Sequence, residues 1–292
     1  MYELIQAGKR TFYMEGYARA GIYVFGKDSA CAIDSGADEH AGLALLKHLK
    51  SMNLRLELII NTHSHADHTG GNALLKKETG CAVYAPGAEH AFISEQIISP
   101  AFMYGGNPMP ELWPGFVSES CKAERLSDAV LPEGLTVVSL DGHSFSHVGI
   151  TTSDNVCFIG DALTAAAVIK KGNLPTLYDV GRTLESFDTL DSMKGVKLIP
   201  AHEPMPDDFA ETIALNRQKT LDMIDLVRDI CSTPVSFETL TRTVLDRTNQ
   251  NANMVIYMLT QNTLKGYLTY LHGRNELEYF FENNTVMWRV KK

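Results

Sequence analysis

At 292 residues, with 45% hydrophobic and 21% charged side chains, the chain suits one large α/β domain or a catalytic core with a small appendage, and it carries no low-complexity tract or repeat. A formal charge of −9 argues against nucleic acid as a default partner. The stretch Met1-Tyr-Glu-Leu-Ile-Gln lacks the basic start and apolar run of a secretory signal, and no apolar segment reaches bilayer length, so a cytoplasmic protein without membrane attachment is expected.

Short strands come first: Thr11 to Met14, Ala20 to Phe25 and Ala30 to Asp34, with Gly26-Lys-Asp as the turn between the last two. Leu43, Leu45, Leu46 and Leu49 have the spacing of an amphipathic helix. Leu56 to Thr62 then reads as a mostly buried strand that ends at a histidine cluster. A second strand–helix alternation follows, with a helix from Asn72 to Lys77 and a strand from Ala82 to Ala85. The segment Ile97 to Gly115, rich in Pro, Gly, Met and aromatics, is too irregular for a plain helix or strand; it is either a flap with an apolar contact surface or a loop packing its own Phe102, Met103 and Trp113. Leu135–Leu140, Val156–Gly160 and Val196–Pro200 are further strands. Strand-rich blocks alternating with helices predict a two-sheet core with helices outside it.

The pattern changes near Phe209, which divides the chain into a catalytic domain, 1–208, and an appendage, 209–292. Ile213, Leu221, Ile224 and Val227 mark a long helix that ends near Cys231-Ser-Thr-Pro234. Ser236 is placed to cap a second helix, although Glu238 comes one residue early for a full capping box. A third helix spans Asn253 to Leu271, and two strands flank Asn283-Asn284 as a hairpin. That order describes a small helical, winged-helix-like domain. From Glu211 onward ten Lys/Arg face nine Asp/Glu, and the third helix carries only Lys265. A DNA-reading helix would cluster its cations, so this composition suits protein contact or a homodimer better.

The chemistry concentrates in Thr62-His-Ser-His-Ala-Asp-His-Thr-Gly-Gly71. His63 and His65 are two apart directly after a strand, so the turning backbone can aim both imidazoles at one point. Asp67 and His68 can serve a second point a few residues later, and Gly70-Gly71 permits close backbone approach. Imidazole nitrogen and carboxylate oxygen are the donors that zinc and similar borderline cations prefer. The cysteines Cys31, Cys81, Cys121, Cys157 and Cys231 form no CxxC or CxxH pair, so buried reduced thiols are expected, not a thiolate site. His40, His48, His90 and His272 lack such context and are expected on helices or the surface.

This segment resembles the HxHxDH signature of the metallo-β-lactamase fold superfamily. The resemblance extends over roughly the first two hundred residues. Asp34 in Ile33-Asp-Ser-Gly36 matches that family's strand-end aspartate. His143 in Gly142-His-Ser-Phe-Ser-His147 matches its third histidine, Asp161 in Phe158-Ile-Gly-Asp-Ala162 its bridging carboxylate, and His202 in Ile199-Pro-Ala-His-Glu203 its last ligand. The resemblance implies an αββα sandwich and two divalent transition-metal ions. The first metal takes His63, His65 and His143, the second takes Asp67, His68 and His202, and Asp161 bridges. Zinc suits these donors, and manganese or iron would also be accepted. His147 is implied as a support for the site.

The implied reaction is hydrolysis by a hydroxide that bridges the metals, generated near neutral pH because a zinc-bound water has a pKa of about 7. Asp67 would orient that nucleophile. The expected substrate is a small ester, thioester, lactone or amide; a phosphodiesterase or ribonuclease of the same fold is the alternative. Hydroxyacylglutathione hydrolases are a near comparison, yet Asp161 to Gly172 lacks their Gly-Cys-Gly-Lys/Arg-like stretch and departs equally from persulfide dioxygenases. Tyr104, Trp113, Tyr178 and Arg182 are the candidate substrate contacts. No flavin- or rubredoxin-like segment supports an electron-transfer role.

Overall fold

Strands β1 (Leu4–Gln6), β2 (Thr11–Met14), β3 (Ala20–Phe25) and β4 (Ser29–Ile33) pair antiparallel in sequence order. The chain then crosses over through α1 (Glu39–Ser51) to β5 (Arg55–Ile60), and through α2 (Ala66–Thr69) and α3 (Asn72–Thr79) to β6 (Ala82–Ala85). After α4 (Glu89–Ser94) and α5 (Ile98–Tyr104), β7 (Glu124–Arg125) completes a seven-stranded sheet whose later members run parallel. A second, four-stranded sheet has the order β11-β10-β9-β8, from β8 (Thr136–Ser139), β9 (Val148–Thr151), β10 (Val156–Gly160) and β11 (Lys197–Pro200). The computed structural model describes residues 2–172, 174–202, 205 and 209–291.

The pleat explains why two cores form. Successive strand residues face opposite sides, so Ile22, Ala30, Ala32 and Ile59 pack under Leu45, Leu49, Leu75 and Ile93 of the helices. Their neighbours Tyr23, Cys31, Ile33, Leu58 and Ile60 face the other way and meet Val148, Ile150, Phe158 and Ile199 of the second sheet. Helix α1 starts where Asp38 accepts a hydrogen bond from the Ala41 amide. The architecture is the expected α/β two-sheet sandwich with a C-terminal helical region.

This sandwich forms one unit, Met1–Asp141, Phe145–Ala162 and Ser192–Met205; the other gathers Gly142–Ser144, Leu163–Asp191 and Pro206–Lys292. Within the second, α6 (Ala166–Lys170) and α7 (Val180–Ser192) join α8 (Phe209–Ile230), β12 (Val235–Ser236), α9 (Phe237–Arg247), α10 (Met254–Gly273), β13 (Leu277–Glu282) and β14 (Thr285–Val290). Val180, Ile224, Val227, Leu240, Val244, Leu264 and Leu271 share its core. Ser236 caps α9 by accepting from the Thr239 amide at 3.3 Å. Asn283 and Asn284 take φ of 49° and 59°, the left-handed pair that a two-residue hairpin turn requires. No described helix is long and apolar enough to cross a membrane.

Several elements depart from the sequence expectation, three of them for reasons that the packing shows. Part of the irregular 97–115 segment is helical, because Pro100 falls in the first turn of α5, where a missing N–H costs no intrahelical bond. Helix α7 buries Thr183 and Ser186 beside Val180, Phe187 and Leu190, so its apolar stripe is diluted in the sequence. Strand β9 is four residues long and paired on both sides, too short for periodicity to mark.

Candidate metal centre

The ligand candidates follow the ends of strands, except Asp67 and His68, which sit in the short helix α2 just after His65. Strand β5 delivers Asn61, Thr62 and His63; β10 delivers Asp161; β11 delivers His202. His143 lies in the β8–β9 connection, on a three-residue segment whose two ends continue into the sandwich. Two groups result. His63, His65, His143 and Asp161 bring one ligand atom each to within 4.8 Å of one another, and so do Asp67, His68 and His202. Asp161 also reaches the second group, with Oδ1 at 3.3 Å from His68 Nε2 and 3.4 Å from His202 Nε2.

The second ring nitrogens are committed elsewhere. His68 Nδ1 lies 2.9 Å from Asp34 Oδ2, His143 Nδ1 lies 3.0 Å from the Thr176 carbonyl, and His202 Nδ1 lies 2.8 Å from the Tyr17 carbonyl. These contacts set the tautomers that leave Nε2 facing inward. His63 Nδ1 sits 3.1 Å from Thr62 Oγ1, which itself donates to Asp34 at 2.8 Å. One buried aspartate therefore orients His68 directly and His63 through a hydroxyl. Asp34 holds φ at 58°, a left-handed backbone that aspartate tolerates better than most side chains.

Divalent cations fit this donor set. Among the described residues the buried His68 Nε2 has no hydrogen-bond partner, although carboxylate oxygens of Asp161 and Asp67 lie 3.3 and 4.0 Å away. Burial lowers the His68 pKa, but Asp161 and Asp34 outweigh it and leave it well above the usual value. Burial likewise opposes charge on His202, while hydrogen bonds to Asp161 and Asp67 raise its pKa to about 10. Burial raises Asp67, yet the His202 hydrogen bond and the His68 charge hold it down at about 2. His63 behaves differently: burial, then His68, His65 and His147, push its pKa well below the ordinary value.

His147 is not part of either ligand group. It is fully buried, and its Nε2 accepts the Asp161 amide at 3.0 Å, so it fixes the backbone of that ligand. Gly160 makes this approach possible: its φ is 49°, and a Cβ there would lie 2.5 Å from His147 Nε2 and 2.7 Å from Thr62 Oγ1. Gly142, at φ 124°, similarly lets the His143 turn press against Thr183.

Among the substrate candidates, Tyr104 ends α5 and Trp113 follows a short 3-10 turn, each 41% exposed. Phe102 of the same helix packs edge-on against Phe92 and lies 4.9 Å from the ring of Phe145, two residues beyond His143. Tyr178 and Arg182 belong to the second unit. The Tyr178 amide donates to the Gly142 carbonyl at 2.7 Å, and the Arg182 guanidinium pairs with Glu185 at 3.0 Å. His90 and His272 each meet a carbonyl nearby in sequence, His48 meets the Tyr2 carbonyl, and His40 is exposed. All five cysteines are buried and free of disulfides. The supporting roles of Thr62 and Glu89 escaped the sequence reading, since neither residue type marks a ligand.

The family model described as the metallo-beta-lactamase superfamily matches residues 20–202, more than half of the chain. Similar proteins include hydroxyacylglutathione hydrolase 1 of Vibrio vulnificus, 26% identical over 209 residues that cover 70% of this chain and 71% of that one. A probable metallo-hydrolase of Methanocaldococcus jannaschii is 27% identical over 207 residues, covering 68% of this chain and 94% of that one. A solved beta-lactamase domain protein from Burkholderia ambifaria shares the fold with a TM-score of 0.72 at 17% identity, covering 99% of this chain and 93% of that chain.

Proposed function

The chain belongs to the metallo-beta-lactamase superfamily and is a metal-dependent hydrolase; on that premise we propose that it cleaves a small thioester or ester, with lactones and amides as nearer variants than phosphodiesters. The observation that carries the reading is the pair of adjoining ligand groups with Asp161 reaching both. His63, His65 and His143 would hold one divalent ion, Asp67, His68 and His202 another, with Asp161 between them. Zinc is the first choice, with manganese or iron as alternatives. When bound, such ions acidify water and polarise the scissile carbonyl.

The residues do the rest. Asp67, ionised across the neutral range, accepts a hydrogen bond from the attacking water and so orients it. The contact between Phe102 and Phe145 supports reading the 97–115 segment as a flap, whose Tyr104 and Trp113 would contact an apolar acyl or thiol group. Tyr178 and Arg182 remain candidates for a polar group of the substrate. Names among the relatives favour a thioester, although the residues after Asp161 lack the glutathione-associated pattern.

Residues 1–208 would then form the catalytic domain, and 209–292 an appendage for protein contact or homodimer formation. Lys265 is the one lysine or arginine of α10, and it lies over the Phe237 ring. A panel of thioesters, esters, lactones, amides and phosphodiesters, run on metal-analysed protein, tests the proposal. Turnover of acyl substrates is expected with close to two metal ions per chain. Turnover of phosphodiesters alone, with RNA or duplex DNA binding that weakens steeply with salt and needs 209–292, would replace it with the nuclease alternative.

A further inference from the structure

We infer that Glu89 is a positioning residue of the metal centre, clamping the two loops that carry the histidines of the first ligand group. The inference rests on the metal-centre reading above. Glu89 opens α4 and is fully buried. Its Oε2 accepts the Ser64 amide at 3.1 Å and, in a shorter contact, the Ser64 hydroxyl. Its Oε1 accepts the Ser146 amide at 3.1 Å. Ser64 separates His63 from His65, whereas Ser146 stands three residues past His143 and next to His147.

One carboxylate therefore joins two segments remote in sequence, one before α4 and one after β8. Between them the backbone supplies the Val148 amide to Thr62 carbonyl bond, at 3.1 Å, and Glu89 adds the side-chain link. A carboxylate suits this position because three donors converge on it and its two oxygens have lone pairs for all of them. The approach is close, because Gly87, at φ 45°, leaves no space for a Cβ beside the Ser146 side chain. A shift of either loop would misplace His63 and His65 relative to His143, and metal affinity depends on that geometry.

Glu89→Gln keeps the size but turns one end into a donor facing a donor. Metal titration of the apo-protein, Co(II) absorption and thermal unfolding of the metal-free form read the result, independently of any substrate. Glu89→Gln should weaken the metal of the histidine-rich group by about 10- to 100-fold and alter the Co(II) spectrum. Ser64→Ala, which removes only the hydroxyl bond, should move both readouts in the same direction by less, and should fold if Glu89→Gln does not. A Glu89→Gln protein of lower melting temperature but wild-type affinity and spectrum would make Glu89 a fold element only, and overturn the inference. Wild-type affinity in Ser64→Ala would do the same if Glu89→Gln cannot be obtained. If the wild-type protein itself takes up no metal, the metal-centre reading fails instead.

Discussion

His63 and His68 are both fully buried imidazoles with ring centroids 4.1 Å apart, yet their surroundings drive them to opposite charge states. Around His63 stand other imidazoles, from His65, His68 and His147, so burial and like charge together keep it neutral. Around His68 stand Asp161 and Asp34, and around His202 stand Asp161 and Asp67, so in the metal-free protein protons occupy the carboxylate-rich half. The difference teaches how each half meets a cation. A neutral His63 can bind a metal without losing a proton, whereas His68 and His202 must release theirs first. Occupancy of the second group should therefore climb more steeply with pH than occupancy of the first.

The largest effect is expected where the two halves meet. Asp161→Ala removes the carboxylate they share and should reduce hydrolysis by at least about a thousandfold, the equivalent of several kcal/mol of lost charge stabilisation, with metal content falling in both groups. His63→Ala should abolish activity too while sparing the second group in a metal titration. If Asp161→Ala retained two tightly held ions, the shared role of that carboxylate would be wrong.

A smaller effect sharpens the electrostatic contrast. Asp34→Asn keeps the left-handed backbone accessible but removes the charge that supports His68. The second metal should then bind about 10- to 100-fold more weakly. His63, reached only through Thr62, should respond less; equal loss at both metals would show that Asp34 serves the backbone more than the ring. His147→Ala, by contrast, should leave measurable activity, roughly a tenth of the wild type, because its Nε2 holds the Asp161 amide and not a ligand position. Complete loss accompanied by metal loss would make it a ligand.

The smallest effect is a pH profile of the metal-free form. His202 is raised to about 10 in the folded chain, so its contribution is full below its unfolded value near 6.5 and disappears as pH rises through 10. Asp67 is held at about 2, so its contribution is full above roughly 3.8 and fades as pH falls toward 2. The thermal stability of apo-protein should accordingly fall at both extremes, and His202→Gln should flatten the alkaline limb. An unchanged alkaline limb in that variant would break the assignment.

Much of this was legible in the chain itself. Strand ends followed by clustered His, Asp and Gly mark the metal centre, because an apolar run marks a buried strand and the donors crowd directly after it. The hairpin at Asn283-Asn284 and the Ser236 cap were likewise local matters of turn and cap chemistry. The helix at Val180–Ser192 was hidden because hydroxyl side chains fill part of its buried face. Helix α5 was obscured by Pro100, whose position in the first turn matters more than its identity.

The sequence by itself determined the donor types, their order and the strand ends that present them, since these depend on spacing along a few residues. Only the tertiary structure decided that Asp34 serves both halves, that His147 holds a backbone amide, and that Glu89 ties Ser64 to Ser146. Those roles depend on distance and direction across the fold. Local spacing cannot specify them, because a hydrogen bond exists only when segments remote in sequence are brought within about 3 Å at a suitable angle.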